Sequence, residues 1–212
     1  HGLRKLRVER LSGLVFATFS AETPPLADYL GPEILARVKR VTGRPLKVLG
    51  SSRQYMHNNW KLYVENVKDS YHASLLHAFF ATFKLNRLTM RGGIIVDESG
   101  GHHVSWSMGA EDADGQTEYN SGQIRSQIDD IALRDLNLVA ATDEFGDGVT
   151  LQILSVFPNF IMQQVRNALA VRQVIPKGPG ATELVWTFYG FADDDAVMLQ
   201  RRQRQSNLVG PA

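Results

Sequence analysis

The sequence of 212 residues contains no cysteine. This absence excludes disulfide bonds, thiolate zinc sites and cysteine nucleophiles. The chain also lacks a strong charge of either sign, because 23 Lys and Arg residues nearly balance 22 Asp and Glu residues, for a formal net charge of +1. Since the basic residues are scattered along the chain, neither nucleic acid nor an anionic membrane surface is an expected partner.

Long apolar runs are missing as well. No segment reaches the roughly 18 consecutive apolar residues that suggest a membrane-spanning helix, and the first residues do not have the pattern of a secretion signal. We therefore expect a cytoplasmic location. The hydrophobic fraction is 43%, which at this length is enough for one buried core, and we predict one domain over residues 1–212.

Periodic patterns predict an α+β fold. Alternation of apolar and polar residues predicts strands, and apolar positions three and four residues apart predict helices. The predicted strands are residues 13–20, 46–55, 89–96, 103–108, 149–157, 160–167, 168–175 and 183–191. Helices are predicted at residues 32–41, from Trp60 onward, and near Asp195, where neighbouring carboxylates can cap a helix start.

Residues 59–77 carry the pattern that is most informative about chemistry. His72 and His77 are two potential neutral imidazole ligands, and Asp69 is a carboxylate in the same segment. Two imidazoles and one carboxylate on one face of a metal, with open positions opposite, are the arrangement of non-haem Fe(II) oxygenases. The alternative is that both residues are structural histidines near the surface.

Helix geometry restricts how these two histidines could meet. At about 100° per residue, Asp69 and His72 lie on one stripe of a helix, whereas His72 and His77 are about 140° apart. We therefore predict that the helix beginning near Trp60 ends or distorts around residues 74–76, for example in a π-bulge, so that His77 turns back toward the metal.

The residues around the histidines match a known signature. The matching positions are Asn59-Trp60-Lys61, Glu65-Asn66, Asp69, Tyr71-His72 and His77. In this pattern the chain resembles the large (alpha) subunit of Rieske-type aromatic-ring-hydroxylating oxygenases, and the resemblance covers nearly the whole chain. Residues 31–35, 74–77 and 190–194 are most similar to the members that act on anthranilate or salicylate.

The resemblance implies a helix-grip fold, in which helices wrap a curved antiparallel sheet. It implies that His72 and His77 bind Fe(2+), and that Asp69 is a catalytic residue linking an iron ligand to the Rieske [2Fe-2S] cluster of a neighbouring subunit. A Rieske cluster needs two Cys and two His ligands, and this chain has no Cys. We therefore expect a fragment that lacks an upstream Rieske domain. Residues 207–212 resemble the stretch that precedes an Asp iron ligand in the family, so the resemblance also implies that the end of the C-terminal helix is missing and that the third iron ligand lies just beyond residue 212.

The activity implied by the resemblance is that of a terminal oxygenase, which inserts oxygen from O₂ into an aromatic acid such as anthranilate or salicylate. Electrons from NADH would arrive through a separate ferredoxin or reductase, and the implied protein partners are other alpha subunits, as a trimer, and a small beta subunit. Two other classes stay open. One is a non-catalytic helix-grip module that binds a hydrophobic or aromatic ligand. The other is a hydrolytic Zn²⁺ site, which suits H-x4-H less well than H-E-x-x-H.

The substrate pocket is predicted from strand parity, since alternate residues of a strand point to the same side of a sheet. Over residues 159–167, Gln163 and Val165 share one side and Arg166 lies on the other, so only one of Gln163 and Arg166 can line the pocket. We choose the side of Gln163, because it mixes amides with aliphatic groups. The predicted substrate-binding residues are Val67, Leu75, Trp106, Gln163 and Val165.

Overall fold

The computed structural model describes residues 2–83, 90–109, 133–135 and 138–210. The elements in these ranges are, in chain order, β1 (Arg7–Leu11), β2 (Leu14–Thr18), α1 (Leu26–Thr42), β3 (Leu46–Met56), α2 (Trp60–Lys68), α3 (His72–Leu76), α4 (Ala78–Thr82), β4 (Gly92–Val96), β5 (His103–Met108), β6 (Val149–Val156), β7 (Phe160–Val165), β8 (Ala168–Gly178), β9 (Ala181–Phe191) and α5 (Ala196–Val209).

Two antiparallel sheets are present in the described part of the chain. Strands β1 and β2 form a hairpin of their own, and the remaining strands form one sheet in the order β3-β9-β8-β7-β6-β5-β4. Each neighbouring pair in the large sheet is antiparallel. A large antiparallel sheet with helices on its faces confirms the predicted α+β class.

Helix α1 covers one face of the large sheet. Its buried residues Leu30, Ile34, Val38 and Val41 recur at spacings of four, four and three, which places them on one stripe of the helix. They pack against the sheet residues Val104, Leu154, Val156 and Met162. Burying each such side chain contributes about 1.5–3 kcal/mol, so this layer supplies much of the hydrophobic stabilisation.

The opposite face of the sheet carries α2 and α5. Val67 of α2 packs in a second apolar cluster with Leu184 and Trp186 of β9. Helix α5 lies on the same face, because Arg202 packs against Gly190, which is on the same side of β9 as Leu184 and Trp186. A Cβ at Gly190 would lie 2.9 Å from the Arg202 Cδ. The two helices leave a space between them over the middle of the sheet.

Element boundaries differ from the predictions mainly where the chain turns. The strand predicted over residues 160–167 ends at Val165, because Arg166 has a φ of 57° and belongs to the turn before β8. Helix α1 starts earlier than predicted. It contains a kink at Gly31, which has a φ of 70° and lies directly before Pro32. Residue 89 of the strand predicted over 89–96 lies outside the described residues.

In the part of the chain that the structure describes, no helix is long and apolar enough to cross a membrane.

Candidate metal centre and substrate cavity

The segment that carries the two histidines is divided into short helices. Helix α2 starts after Asn59, whose side chain accepts a hydrogen bond from a backbone N–H of the first turn at 3.0 Å. It ends before Asp69, which is extended with φ −79° and ψ 104°. His77, after α3, is extended as well. The predicted distortion around residues 74–76 is therefore wrong, since the chain breaks earlier, at Asp69, and again at His77.

The carboxylate of Asp69 accounts for the first break. One of its oxygens accepts hydrogen bonds from the backbone N–H groups of Tyr71 at 2.7 Å and of His72 at 3.3 Å. A carboxylate in this position satisfies donors at a helix start that have no partner within the helix. The chain therefore leaves α2 at Asp69 and begins a separate helix at His72.

The imidazole of His72 is held in one tautomer. Its Nδ1 lies 2.8 Å from the main-chain carbonyl oxygen of Asp69 and 3.4 Å from the Asp69 carboxylate. Because a carbonyl oxygen can only accept, Nδ1 carries the proton and Nε2 keeps a lone pair. This lone pair accepts from the side-chain amide of Asn66 at 3.2 Å, a contact that a metal ion at Nε2 would replace. A histidine whose Nδ1–H is held by an oxygen is typical of metal sites.

His77 lies beside His72, with 5.2 Å between the ring centroids. Partial burial and, to a smaller extent, the proximity of His72 lower the pKa of His77 below its usual 6.5. His77 is therefore neutral at pH 7 and has a lone pair for a metal. Within the described ranges, no group of three or more His, Cys, Asp or Glu side chains could hold a metal ion. The two imidazoles fit part of the donor set of a divalent iron ion.

A cavity of about 530 Å³ lies next to the two histidines. Helices α2, α3 and α4 form one wall, the sheet forms the floor, and the last turn of α5 closes a further side. Its lining includes Tyr63, Val67, Gln163, Arg172, Trp186 and Val209.

Three of the five predicted substrate residues, Val67, Gln163 and Val165, line this cavity. The expectation for Trp106 is corrected, because its side chain packs on the α1 face of the sheet, 5.3 Å from the guanidinium of Arg37. Leu75 is half-buried outside the lining, whereas its neighbour Leu76 lines the cavity.

Arg172, on the β8 side of the cavity, was not predicted from the sequence. Its side chain is only 7% exposed. The guanidinium donates to the hydroxyl of Tyr63 at 2.6 Å and to Oε1 of Gln163 at 2.5 Å, and both partners are neutral. Among the described residues, its Nε has no hydrogen-bond partner and no carboxylate forms an ion pair with the guanidinium.

A buried cation without an anion is costly, so this part of the cavity is suited to a negatively charged ligand. An apolar surface lies beside it, since the Trp186 ring is 4.8 Å from the Arg172 guanidinium carbon. The indole Nε1 of Trp186 is also buried, with no hydrogen-bond partner in the described part of the chain. One sequence signal was available: Arg172 interrupts the apolar residues Ala170 and Val174 on one side of the strand.

Comparison with known proteins assigns this arrangement to a family. Residues 36–209 match the model described as ring hydroxylating alpha subunit (catalytic domain). The chain belongs to this family. The prediction of a Rieske-type ring-hydroxylating alpha subunit is therefore confirmed.

Several curated members of the ring-hydroxylating family align with the whole chain. It is 56% identical to the terephthalate 1,2-dioxygenase terminal oxygenase component subunit alpha 2 of Comamonas sp., over 100% of this chain and 51% of that protein. Identity to the anthranilate 1,2-dioxygenase large subunit of Burkholderia cepacia is 43%, over 100% of this chain and 50% of the relative. The large oxygenase component of salicylate 5-hydroxylase of Ralstonia sp. is 38% identical with the same coverage. The chain spans about half the length of these relatives.

A solved structure supports the fold at lower identity. Naphthalene 1,2-dioxygenase from Rhodococcus sp. superposes with a TM-score of 0.69 and 17% identity, over 95% of this chain and 48% of that chain. The predicted fold, an antiparallel sheet wrapped by helices, is thus the fold of a ring-hydroxylating oxygenase.

Proposed function

We propose that this chain is the catalytic part of a terminal oxygenase that inserts oxygen from O₂ into the ring of an aromatic acid. One observation carries the proposal: the buried guanidinium of Arg172, with no carboxylate paired to it among the described residues, lines the same cavity as His72 and His77. A benzene ring with a carboxylate would supply both the missing anion and an apolar body for Val67 and Trp186. The relatives named above are named for terephthalate, anthranilate and salicylate, which are all aromatic acids.

Each residue has a distinct part in this proposal. The imidazoles of His72 and His77 would hold Fe(2+), which when bound supplies the chemistry of O₂ activation. Arg172 would bind the substrate carboxylate through charge-assisted hydrogen bonds, which are stronger than neutral ones. Tyr63 and Gln163 accept hydrogen bonds from the guanidinium and keep it at the lining of the cavity. The ring is thereby oriented with respect to the two histidines.

Asp69 remains the proposed catalytic link to the electron source. Its carboxylate is 48% exposed and lies 3.4 Å from the His72 ring, so one side meets an iron ligand and the other can meet a neighbouring subunit. The full proposal includes a Rieske [2Fe-2S] cluster outside these residues, contact with other alpha subunits and a small beta subunit, and a ferredoxin or reductase that delivers electrons from NADH in the cytoplasm.

The acid itself is a finer part of the proposal. Residues 31–35, 74–77 and 190–194 favoured anthranilate or salicylate, whereas the relative with 56% identity is named for terephthalate. We therefore propose the class of benzene carboxylic acids, with terephthalate, anthranilate and salicylate as the three compounds to compare.

Metal analysis and ligand titration of the full-length protein test this function. We expect stoichiometric iron and tighter binding of at least one of the three acids than of toluene, a neutral arene of similar size. Zinc as the metal would support a hydrolase, and absence of any metal would support a non-catalytic binding module. Equal affinity for the acids and toluene would contradict the role of Arg172.

A further inference from the structure

Gln163 lies between the acid-binding arginine and the end of helix α5. Its side chain is buried, with 4% exposure. Oε1 accepts a hydrogen bond from Arg172 at 2.5 Å, and Nε2 donates to the carbonyl oxygen of Val209 at 3.3 Å. Both ends of the amide are therefore occupied by protein groups.

The chemistry of the two partners fixes the orientation of this amide. A guanidinium can only donate, so the oxygen of Gln163 must face Arg172. The nitrogen then faces Val209, whose carbonyl belongs to the last turn of α5, where carbonyls have no partner within the helix. Turning the amide over would place two donors together at one end and two acceptors at the other.

The upstream part of α5 is anchored to loops and turns next to the sheet, independently of Gln163. Arg202, which is 0% exposed, donates to the carboxylate of Asp194 at 2.7 Å and to the carboxylate of Glu144 at 3.1 Å. Gln205 accepts from the backbone N–H of Asn167 at 2.8 Å. The end of α5 beyond these anchors borders the cavity, and there the link to Gln163 joins it to Arg172.

We propose that Gln163 is a positioning residue that couples binding of the aromatic acid at Arg172 to the position of the last turn of α5. A carboxylate bound to Arg172 orders the guanidinium, the ordered guanidinium holds Oε1 of Gln163, and the amide then holds the carbonyl of Val209. By linkage, whatever orders the end of α5 also tightens binding of the acid. This inference rests on the proposed function of Arg172.

Amide hydrogen exchange of the full-length protein, with and without saturating terephthalate, tests the coupling. We expect terephthalate to slow exchange in the segment Leu208–Gly210 by at least about fivefold, the lower end of common coupling factors. Gln163→Leu should remove this slowing and weaken terephthalate binding about tenfold, since an arginine hydrogen bond is lost. If anthranilate or salicylate proves to bind more tightly, the same measurement is made with that acid.

Gln164→Leu is the matched control. Gln164 is the next residue of β7, is 3% exposed, and bridges Arg40 at 2.5 Å and the carbonyl of Val149 at 2.9 Å on the opposite face of the sheet. Its loss should cost similar stability but leave the slowing at Leu208–Gly210 unchanged. A general effect of removing a buried amide would appear in both variants and would overturn the proposal.

A second variant guards against failure of Gln163→Leu to fold. Gln163→Met keeps the length of an unbranched side chain and removes both hydrogen bonds without adding a charge beside Arg172, so the slowing should again disappear. Persistent slowing in this variant would overturn the coupling. If instead Arg172→Met leaves acid affinity unchanged, the proposed function of Arg172 has failed, which is a different result from intact acid binding without coupling.

Discussion

Replacement of Arg172 by methionine should separate ligand binding from stability. Arg172 makes two hydrogen bonds to neutral partners, Tyr63 and Gln163, and each bond to a charged group is worth about 1.5–3 kcal/mol. Against this, an unpaired buried cation carries a desolvation cost of about several kcal/mol. The two effects offset each other. We therefore expect the free energy of unfolding to change by no more than about 2 kcal/mol in either direction.

Binding of the acid should respond much more strongly. Loss of the charge-assisted contact should weaken acid binding by about 1.5–3 kcal/mol, which is roughly 10-fold to 150-fold in Kd. Binding of toluene should change little, because Met fills similar space with an apolar chain. Isothermal titration of the acid and the neutral arene, with denaturant unfolding of the same samples, measures all three quantities.

Arg166→Met provides the control for this experiment. Arg166 lies in the turn after β7, with φ 57°, and is the arginine that would have lined the pocket if the strand faced the other way. Its replacement should leave Kd for the acid unchanged. An equal loss of affinity for acid and arene in Arg172→Met, or a loss in Arg166→Met alone, would refute the reasoning.

Three further predictions concern other parts of the molecule. His72→Ala or His77→Ala should lose the metal, so stoichiometric iron in either variant, measured by elemental analysis, would rule out that ligand. Asp69→Ala should keep iron but lose nearly all turnover, because its carboxylate lies beside the His72 ring; substantial turnover of the iron-loaded variant would contradict the electron-transfer role. Burial lowers the pKa of the His103 imidazole from 6.5 to about 4, so between these pH values the unfolded state binds a proton that the folded state does not. As the pH drops from 7 to 4, the free energy of unfolding of the wild type should fall by about 3 kcal/mol relative to that of His103→Leu. Parallel pH curves of unfolding free energy for the two proteins would argue against a buried neutral His103.

Local patterns predicted most elements of the fold, but not the break at Asp69 in the segment that carries the two histidines. Alternation located β6, β8 and β9, and the carboxylate of Asp195 does cap α5, accepting from the N–H of Met198 at 2.7 Å. The end of α2 depends on the Asp69 carboxylate, which accepts hydrogen bonds from the backbone N–H groups of Tyr71 and His72. The break was predicted too late in the chain, because helical periodicity alone gives no sign that the helix stops at Asp69.

The lining of the cavity beside the two histidines was predicted only in part, because parity does not say which side of a strand faces which layer of helices. Gln163 and Val165 were placed correctly relative to each other, yet Trp106 was assigned to the wrong face of β5. Arg172 was overlooked since it lies within a run of strand-forming residues. Its proposed role follows only from its burial and from the neutral partners around it, and neither is visible in the sequence.

Incubation of the full-length, iron-loaded protein with isotopically labelled O₂, an electron donor and each of the three acids tests the central claim most directly. Mass spectrometry of the products should find label in a ring-hydroxylated acid, with the label absent for His72→Ala and strongly reduced for Arg172→Met. Unlabelled products, or labelled products formed equally well by these variants, would contradict an aromatic-acid oxygenase centred on this cavity.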